Sequence, residues 1–280
     1  MFDNVCKYLT ETFSEDYATW LLGKPVTLTS LSPKELSLEP IRADALILEQ
    51  SDDLVLHLEF QTEVDKTIGF RMLDYRVRVY RRFPHKTMHQ VVIYLKKTGS
   101  PLVYQEHFQL AETTHHYRAI RLWEESPEPF LNSPGLLPLA VLTKSQNTTA
   151  RLREVALKLD KMEDRSLRAN LTTATAIFGG LLVKPELIKT ILRSEIMKES
   201  TVYQEILQAG EQRGLFKGEQ QGFLKGERQG LLKGKLEGKL EGKLEVAQKL
   251  LERGLSVSEV ASITGLTVET IENISFPHNS

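Results

Sequence analysis

The sequence predicts a mixed α/β fold, in which a layered core of strands and helices is followed by a helical extension. The first residues carry apolar side chains at three- and four-residue steps, which is typical of an amphipathic helix. Two short apolar runs then flank a polar turn, and a later run is almost wholly apolar. The predicted order is helix, strand, strand, helix, strand, strand, as in a mixed α/β layer fold.

Composition places the chain among ordinary soluble proteins. It has 280 residues, of which 41% are hydrophobic and 26% charged, and its net charge of -1 gives no global basic field. The single cysteine, Cys6, excludes an internal disulfide and favours a reducing compartment. Neither a signal peptide nor an apolar run of the ~20 residues that cross a bilayer is present. We therefore expect a cytoplasmic protein without a membrane partner.

Each element of the core has a local signal. The first helix ends at Gly23-Lys24-Pro25, and the polar turn Ser51–Asp53 predicts a β-hairpin. Pro84 ends the second helix, and the apolar strand after it is typical of a sheet covered on both faces. The predicted elements are the helix Phe2–Leu22, the strands Ala45–Leu48 and Leu54–Leu58, the helix Thr67–Phe83, and the strands Gln90–Leu95 and His116–Trp123.

The remainder of the chain is predicted to be helical. After the proline-rich connector Pro127–Leu142, apolar periodicity predicts three helices, at Thr148–Met162, Leu167–Val183 and Pro185–Lys198. We divide the chain into a core domain of residues 1–142, a helical extension of 143–200, a glycine repeat of 201–246 and a C-terminal helical hairpin of 247–280.

The glycine repeat has a period of four. Every fourth residue from Gly210 to Gly242 is glycine, which accounts for nine of the seventeen glycines in the chain. Because each glycine costs roughly 1 kcal/mol in a helix relative to alanine, a flexible charged linker is one interpretation. The other is a helix whose glycine stripe lets a second copy approach closely, winding right-handedly because four residues overshoot a turn by about 40°. The second interpretation predicts a homo-oligomer through Gly210–Gly242.

The C-terminal segment predicts a small helical hairpin. Ser256 and Glu259 have the spacing of a capping box. The apolar and glycine spacing that follows resembles that of helix-turn-helix units. The candidate recognition helix carries Glu269 and Glu272 rather than cations, so it does not favour the reading of DNA.

Carboxylates interrupt the predicted hairpin. Asp44 precedes the first strand and Glu59 lies in the second, where a buried carboxylate is costly unless it is paired or binds a metal. Alternation places His57, Glu59 and Gln61 on one face, and pairing across the turn would bring Asp44 towards it. This spacing predicts a two-carboxylate site for a hard divalent cation. The structural alternative is that both acids pair with arginines such as Arg42, Arg71 or Arg76.

The chemistry of such a site is that of a hydrolase. Mg²⁺ prefers oxygen ligands and keeps several waters, so Asp44 and Glu59 would suffice as its protein ligands. The ion lowers the pKa of a bound water and stabilises charge that develops on a phosphate. Gln61 could orient that water but carries no charge. His57 could assist proton transfer, although a strand histidine is more often a packed neutral residue. The pair His115-His116 lacks a cysteine or carboxylate at metal spacing.

The second predicted helix is strongly basic. Between Lys66 and Lys86 there are seven basic residues and one acid, Asp74, so the local charge is +6. Such a patch beside a carboxylate site suits a polyanion such as DNA, although a basic helix face by itself is more commonly solvated. One helical face contains Arg71, Tyr75, Arg78 and Arg82. We expect the arginines of this face, Arg71, Arg78 and Arg82, to contact the phosphates of a polyanionic substrate, which the resemblance described next implies to be DNA.

These residues resemble a known family. The order helix, Asp44, Glu59-Phe60-Gln61, helix, strand resembles the PD-(D/E)XK nuclease core, with glutamine in the last position of the motif. The opening F-D-x-x-x-K, the stretch F-R-M-L-D-Y-R (Phe70–Arg76) and the glycine-punctuated tail resemble the Rpn family of recombination-promoting nucleases, also labelled putative transposases. The resemblance covers residues 1–142 well, the middle helices loosely and the tail by style.

The resemblance implies a restriction-endonuclease-like core and a Mg²⁺-dependent DNA endonuclease, with Mn²⁺ able to substitute, linked to recombination or transposition. By the resemblance, Asp44 and Glu59 are the metal ligands and Gln61 takes the position of the usual lysine. Glu11 matches an acidic residue that some members place near the metal.

The departure at Gln61 leaves the positive charge at the attacking water unassigned. Lys66 or Arg71 could supply it. The rival hypothesis is a catalytically degenerate protein that keeps the fold and acts as a DNA-binding or assembly module.

Overall fold

The structure is a computed structural model that describes residues 2–31, 46–192 and 194–275. The chain forms two compact units, Met1–Ala209 and Gly210–Ser280. Each unit is described by itself.

A five-stranded mixed sheet organises the first unit. The strands along the chain are β1 (Thr29–Ser30), β2 (Leu46–Gln50), β3 (Leu54–Gln61), β4 (Thr87–Tyr94), β5 (His107–Leu110), β6 (Thr113–His116) and β7 (Arg118–Arg121). The sheet order is β1-β2-β3-β4-β7, and β5 with β6 forms a separate two-stranded ribbon. β1, β2 and β3 are antiparallel neighbours, whereas β3, β4 and β7 run parallel. The mixed α/β class predicted from the sequence is therefore confirmed.

The predicted hairpin is present as β2 and β3. The Ser51 N–H donates to the carbonyl of Leu54 at 3.0 Å, and the Ser51 hydroxyl donates to Asp53 at 2.8 Å. These two bonds satisfy polar groups of the turn locally, as serine and aspartate commonly do. β3 then pairs with β4 along its whole length, and only its last residue, Gln61, is more than slightly exposed. β3 is thus the central strand, covered on both faces as a parallel strand usually is.

The helices of the first unit differ from their predicted bounds mainly at breaks. They are α1 (Phe2–Thr12), α2 (Ser14–Leu22), α3 (Ile68–Arg82), α4 (Glu128–Asn132), α5 (Thr148–Asp160), α6 (Arg165–Gly179), α7 (Pro185–Ile191) and α8 (Ser194–Met197). The single first helix expected from the sequence is interrupted at Phe13. There the chain packs against Gly135, whose N–H donates to Asp16 at 2.7 Å and where a β-carbon would lie 2.2 Å from the Phe13 side chain.

Two different layers cover the two faces of β3. Leu56, Leu58 and Phe60 face a large apolar core built with α1, α2, α5 and α6. The helices of residues 143–200 belong to this core and so pack as part of the first unit. On the opposite face, α3 crosses the sheet and packs Tyr75 and Val79 against the alternate residues of β3. Of the predicted site residues, His57, Glu59 and Gln61 lie on this second face.

The glycine repeat is helical. The helix α9 (Thr201–Glu252) is 52 residues long and runs through the whole repeat. Of the two interpretations of the repeat, the structure agrees with a helix rather than a flexible linker. A β-carbon built on any of the repeat glycines from Gly210 to Gly242 would meet no neighbouring atom of the described residues within 4 Å, so none of them covers the stripe.

A small three-helix core closes the second unit. The end of α9 packs with α10 (Val257–Thr264) and α11 (Val268–Ser275) around Ala247, Val260 and Ile271. The predicted capping box is present, since the side chain of Ser256 and that of Glu259 each accept from the backbone N–H of the other. Within the described ranges, no helix is long and apolar enough to cross a membrane.

Glu49 makes the stability of the first unit depend on pH. It lies on β2 opposite Leu56, is 2% exposed, and one of its oxygens has no hydrogen-bond partner among the residues that the structure describes. Burial, and then the charge of Glu11, raise its pKa from 4.5 to about 7. Between these values the folded state binds more protons than the unfolded state, so the free energy of unfolding falls as the pH rises.

We expect Glu49→Gln to remove this decline. The variant should gain stability relative to the parent as the pH rises from 5 to 8, measured by urea unfolding. Glu63→Gln, at an exposed position, is the matched control and should follow the parent. A stability difference between Glu49→Gln and the parent that stays constant over this range would contradict the proposed burial of charge.

Candidate active site

The site lies on the face of β3 that α3 covers. His57 and Glu59 are both fully buried, and Gln61 is half-buried at the end of the strand. The amide of Gln61 donates to Glu59 Oε2 at 3.4 Å, and His57 Nε2 lies 3.5 Å from Glu59 Oε1. The structure thus brings together the three residues that strand alternation predicted on one face.

Arg71 on α3 neutralises Glu59. Its Nη2 donates to Glu59 Oε2, and its Nη1 donates to Asp65 at 2.9 Å. Partial burial opposes the charge of Arg71, but the Glu59 carboxylate raises its pKa. Asp65 is itself held by the N–H and the hydroxyl of Thr67 at 2.8 and 2.7 Å. The guanidinium therefore bridges a buried carboxylate on the sheet and a half-buried one in the loop before α3.

This ion pair bears on both interpretations of Glu59. The structural alternative named Arg71 as a possible partner, and the catalytic interpretation named Arg71 as a substitute for the missing lysine. The other candidate cation, Lys66, is exposed in the loop that precedes α3. The positive charge held on Glu59 therefore comes from α3.

The three arginines predicted to contact DNA have different surroundings. Arg71 is engaged in the site, and Arg78 donates to Asp74 at 2.9 Å one helical turn away. Arg82 is exposed, with its guanidinium 5.9 Å from the centre of the Phe83 ring. Arg82 is thus the one of these three that is open to a polyanion without first exchanging a carboxylate.

Two predicted residues are not brought to Glu59 by the described chain. Asp44 lies outside the described residues. Glu11 on α1 accepts from the Ser30 hydroxyl at 2.9 Å and lies near Glu49, on the face of the sheet opposite to Glu59. The reason is that α1 packs on the apolar face of the sheet, whereas the site lies under α3.

Gln90 on β4 belongs to the site and was not identified from the sequence. Its Nε2 donates to the carbonyl of Met72 at 2.7 Å and lies 3.0 Å from His57 Nδ1. Its Oε1 lies 2.8 Å from Nε2 of His115 on β6. One signal was available, since Gln90 is a lone glutamine in an apolar strand, and the parallel register places it directly beside His57.

Glu59 can serve as one ligand of a cation but not as a complete site. Its Oε1 is buried 3.5 Å from His57 Nε2 and accepts no hydrogen bond from the described residues, so this oxygen has a lone pair for a further ligand. Over residues 2–31, 46–192 and 194–275, no group of three or more His, Cys, Asp or Glu could hold a metal ion. The second carboxylate predicted to bind a metal with Glu59 is Asp44, which lies outside these ranges.

Comparisons with family models, with characterised proteins and with solved structures found no significant match. A function for this chain is therefore inferred from its own residues and from the order of its elements.

The ion pair predicts a coupled response to mutation. We expect Arg71→Met to destabilise the first unit by roughly 2 to 4 kcal/mol, because removing one partner leaves Glu59 buried and charged. Adding Glu59→Gln to Arg71→Met should recover much of that loss, since the remaining amide is neutral. The measurement is a double-mutant cycle by urea unfolding.

Arg78→Met is the control, because its surface pair with Asp74 is worth at most about 1 kcal/mol. Additive effects of Arg71→Met and Glu59→Gln would show that the two side chains do not depend on each other.

Proposed function

We propose that the first unit is a metal-dependent endonuclease of the PD-(D/E)XK type, similar to the Rpn family, which hydrolyses phosphodiester bonds in DNA. The observation that carries the proposal is the buried Glu59 with Gln61 two residues later at the end of β3. β3 is antiparallel to β2 and is connected through α3 to the parallel strand β4. This arrangement supports the core that the sequence resemblance implies.

The residues of the site divide the proposed reaction among them. Mg²⁺ held by Asp44 and Glu59, with Mn²⁺ as a substitute, would lower the pKa of a bound water and stabilise charge on the phosphate. Gln61 orients the water by hydrogen bonding. Arg71 supplies, from α3, the positive charge that a lysine at position 61 would bring, and so stabilises the developing negative charge. Arg82, and Arg78 once it exchanges Asp74 for phosphate, hold the DNA backbone.

The test of catalysis is plasmid nicking with Mg²⁺. Asp44→Asn and Glu59→Gln should each lower the rate at least about 100-fold, since each removes the negative charge of a metal ligand. Glu63→Gln, an exposed acid in the next loop, is the control and should nick as the parent does. Equal rates in the parent, Asp44→Asn and Glu59→Gln would end the assignment.

The Glu59–Arg71 ion pair also favours a second candidate, a nuclease-like fold that binds DNA without cleaving it. In that case Arg71 is the permanent partner of Glu59 and no cation binds. Titration calorimetry separates the two candidates, because the binding module would show no Asp44-dependent uptake of Mg²⁺ or Mn²⁺ and would still bind DNA. A transposase-like reaction would add strand joining to cleavage, and it would be recognised by joined DNA products, which hydrolysis alone does not give.

We also propose that the chain self-associates in parallel through α9. The last third of the repeat has like charges at four-residue steps, which oppose each other within one helix. An in-register parallel pair would set the lysine row of one copy against the glutamate row of the other, while the glycine stripe allows close approach. The exposed leucines of the repeat, such as Leu231 at 76%, would gain contacts. The rows are Lys235, Lys239 and Lys243, and Glu237, Glu241 and Glu245.

Alanine at the glycines separates helix formation from association. Replacing Gly222, Gly226 and Gly230 by alanine should stabilise the isolated helix by up to about 1 kcal/mol each, since no atom lies within 4 Å of the added β-carbons. The same change should weaken association, because the β-carbons hold a partner helix away. Sedimentation equilibrium measures the second effect and circular dichroism the first.

The matched control replaces Gln212, Gln220 and Arg228 by alanine, each two residues after a glycine and so on the side of the helix away from the stripe. Association that is unchanged or tighter in the glycine triple variant would exclude the stripe as the contact surface.

A further inference from the structure

A line of buried polar contacts joins the β5–β6 ribbon to Glu59. It runs from His115 Nε2 to Gln90 Oε1 at 2.8 Å, from Gln90 Nε2 to His57 Nδ1 at 3.0 Å, and from His57 Nε2 to Glu59 Oε1 at 3.5 Å. His57 and Glu59 are fully buried and Gln90 is 7% exposed. Water therefore does not supply alternative partners to these three side chains, and the protein sets their hydrogen bonding.

The carbonyl of Met72 fixes the orientation of the Gln90 amide. A carbonyl oxygen only accepts, so the Gln90 atom 2.7 Å from it must be the nitrogen. The other end of the amide, Oε1, then accepts from the Nε2–H of His115. The amide nitrogen has two hydrogens, and the one that Met72 does not take points to His57 Nδ1.

The Gln90 amide in turn fixes the tautomer of His57. Because Nδ1 faces a donor, it accepts, and the ring hydrogen lies on Nε2. That Nε2–H faces Glu59 Oε1 at 3.5 Å, and neither atom has a shorter hydrogen-bond partner among the described residues. The ring is held in place by the edge-to-face contact with Tyr75, with centroids 5.1 Å apart and planes at 80°. The nitrogen of His57 that faces Glu59 therefore carries a hydrogen and cannot accept a proton.

We propose that His57 is a positioning residue that donates from Nε2 to Glu59 Oε1, with its tautomer set by Gln90. His57 then does not act as the base that deprotonates water. Oε1 keeps a further lone pair, so the carboxylate is held by His57 and Arg71 and is still able to bind a cation. The role of Glu59 as a metal ligand is taken from the proposed function, whereas the tautomer of His57 depends only on the contacts above.

The direct test is nitrogen–proton correlation NMR of the full-length protein, with the His57 signals assigned by their loss in His57→Gln. We expect the proton on Nε2 and an unprotonated Nδ1 in the parent at neutral pH. In Gln90→Leu, which removes the hydrogen-bond donor to Nδ1, the Nδ1 resonance should move towards that of an imidazole nitrogen without a hydrogen bond, while the proton stays on Nε2 opposite Glu59. Gln109→Leu, at an exposed position of β5, is the control and should leave the spectrum unchanged. An Nδ1–H tautomer or an imidazolium in the parent would overturn the proposal.

A second readout connects the tautomer to the site. Gln90→Leu should weaken Mg²⁺ binding about 10- to 100-fold in calorimetry, as loss of a partner that orients a ligand usually does. The two proposals fail separately. An Nε2–H tautomer without Mg²⁺ uptake or nicking would leave the hydrogen-bond network standing and refute the nuclease. Nicking by a protein whose His57 is in the Nδ1–H tautomer would support the nuclease and refute the proposed hydrogen-bond network.

Discussion

The ion pair between Glu59 and Arg71 is the constraint on which the α3-covered face of the first unit depends. A carboxylate buried in the central strand of a sheet is costly unless a cation reaches it. Arg71 can do so because α3 crosses the face of β3 on its way to the parallel strand β4. The loop before α3 then anchors the guanidinium through Asp65. The crossover helix thus provides the charge that the strand lacks.

The two faces of the sheet treat buried carboxylates differently. On the face towards α3, Glu59 has Arg71, Gln61 and His57 around it. On the opposite face, Glu49 lies against an apolar core, where burial and then the charge of Glu11 raise its pKa to about 7. The first environment supplies the guanidinium of Arg71 to Glu59, whereas the second favours a protonated Glu49. Polar chemistry is therefore concentrated under α3, while the other face provides packing.

Local signals in the sequence predicted much of the first unit. The β2–β3 hairpin and α3 follow from the turn and from apolar periodicity, and alternation alone placed His57, Glu59 and Gln61 together. The contacts made by Arg71 and Gln90 could not be selected in this way, since Arg71 was one of three arginines named as possible partners and Gln90 was not identified. They depend on how far α3 reaches over β3 and on the register of β4 beside β3, which are set by tertiary packing. The break at Phe13 likewise depends on Gly135, more than a hundred residues away.

The position of Arg71 explains why a neutral side chain at position 61 is compatible with the site. A strand lysine at position 61 would place its charge beside Glu59 and would compete with Arg71 for the same oxygen. With Arg71 already on Oε2, a neutral amide is the compatible neighbour, since it can donate to that oxygen at 3.4 Å without adding a second cation. Glutamine and arginine therefore form a matched pair. In the proposed nuclease, the charge of the motif has moved from the strand to the helix that crosses it.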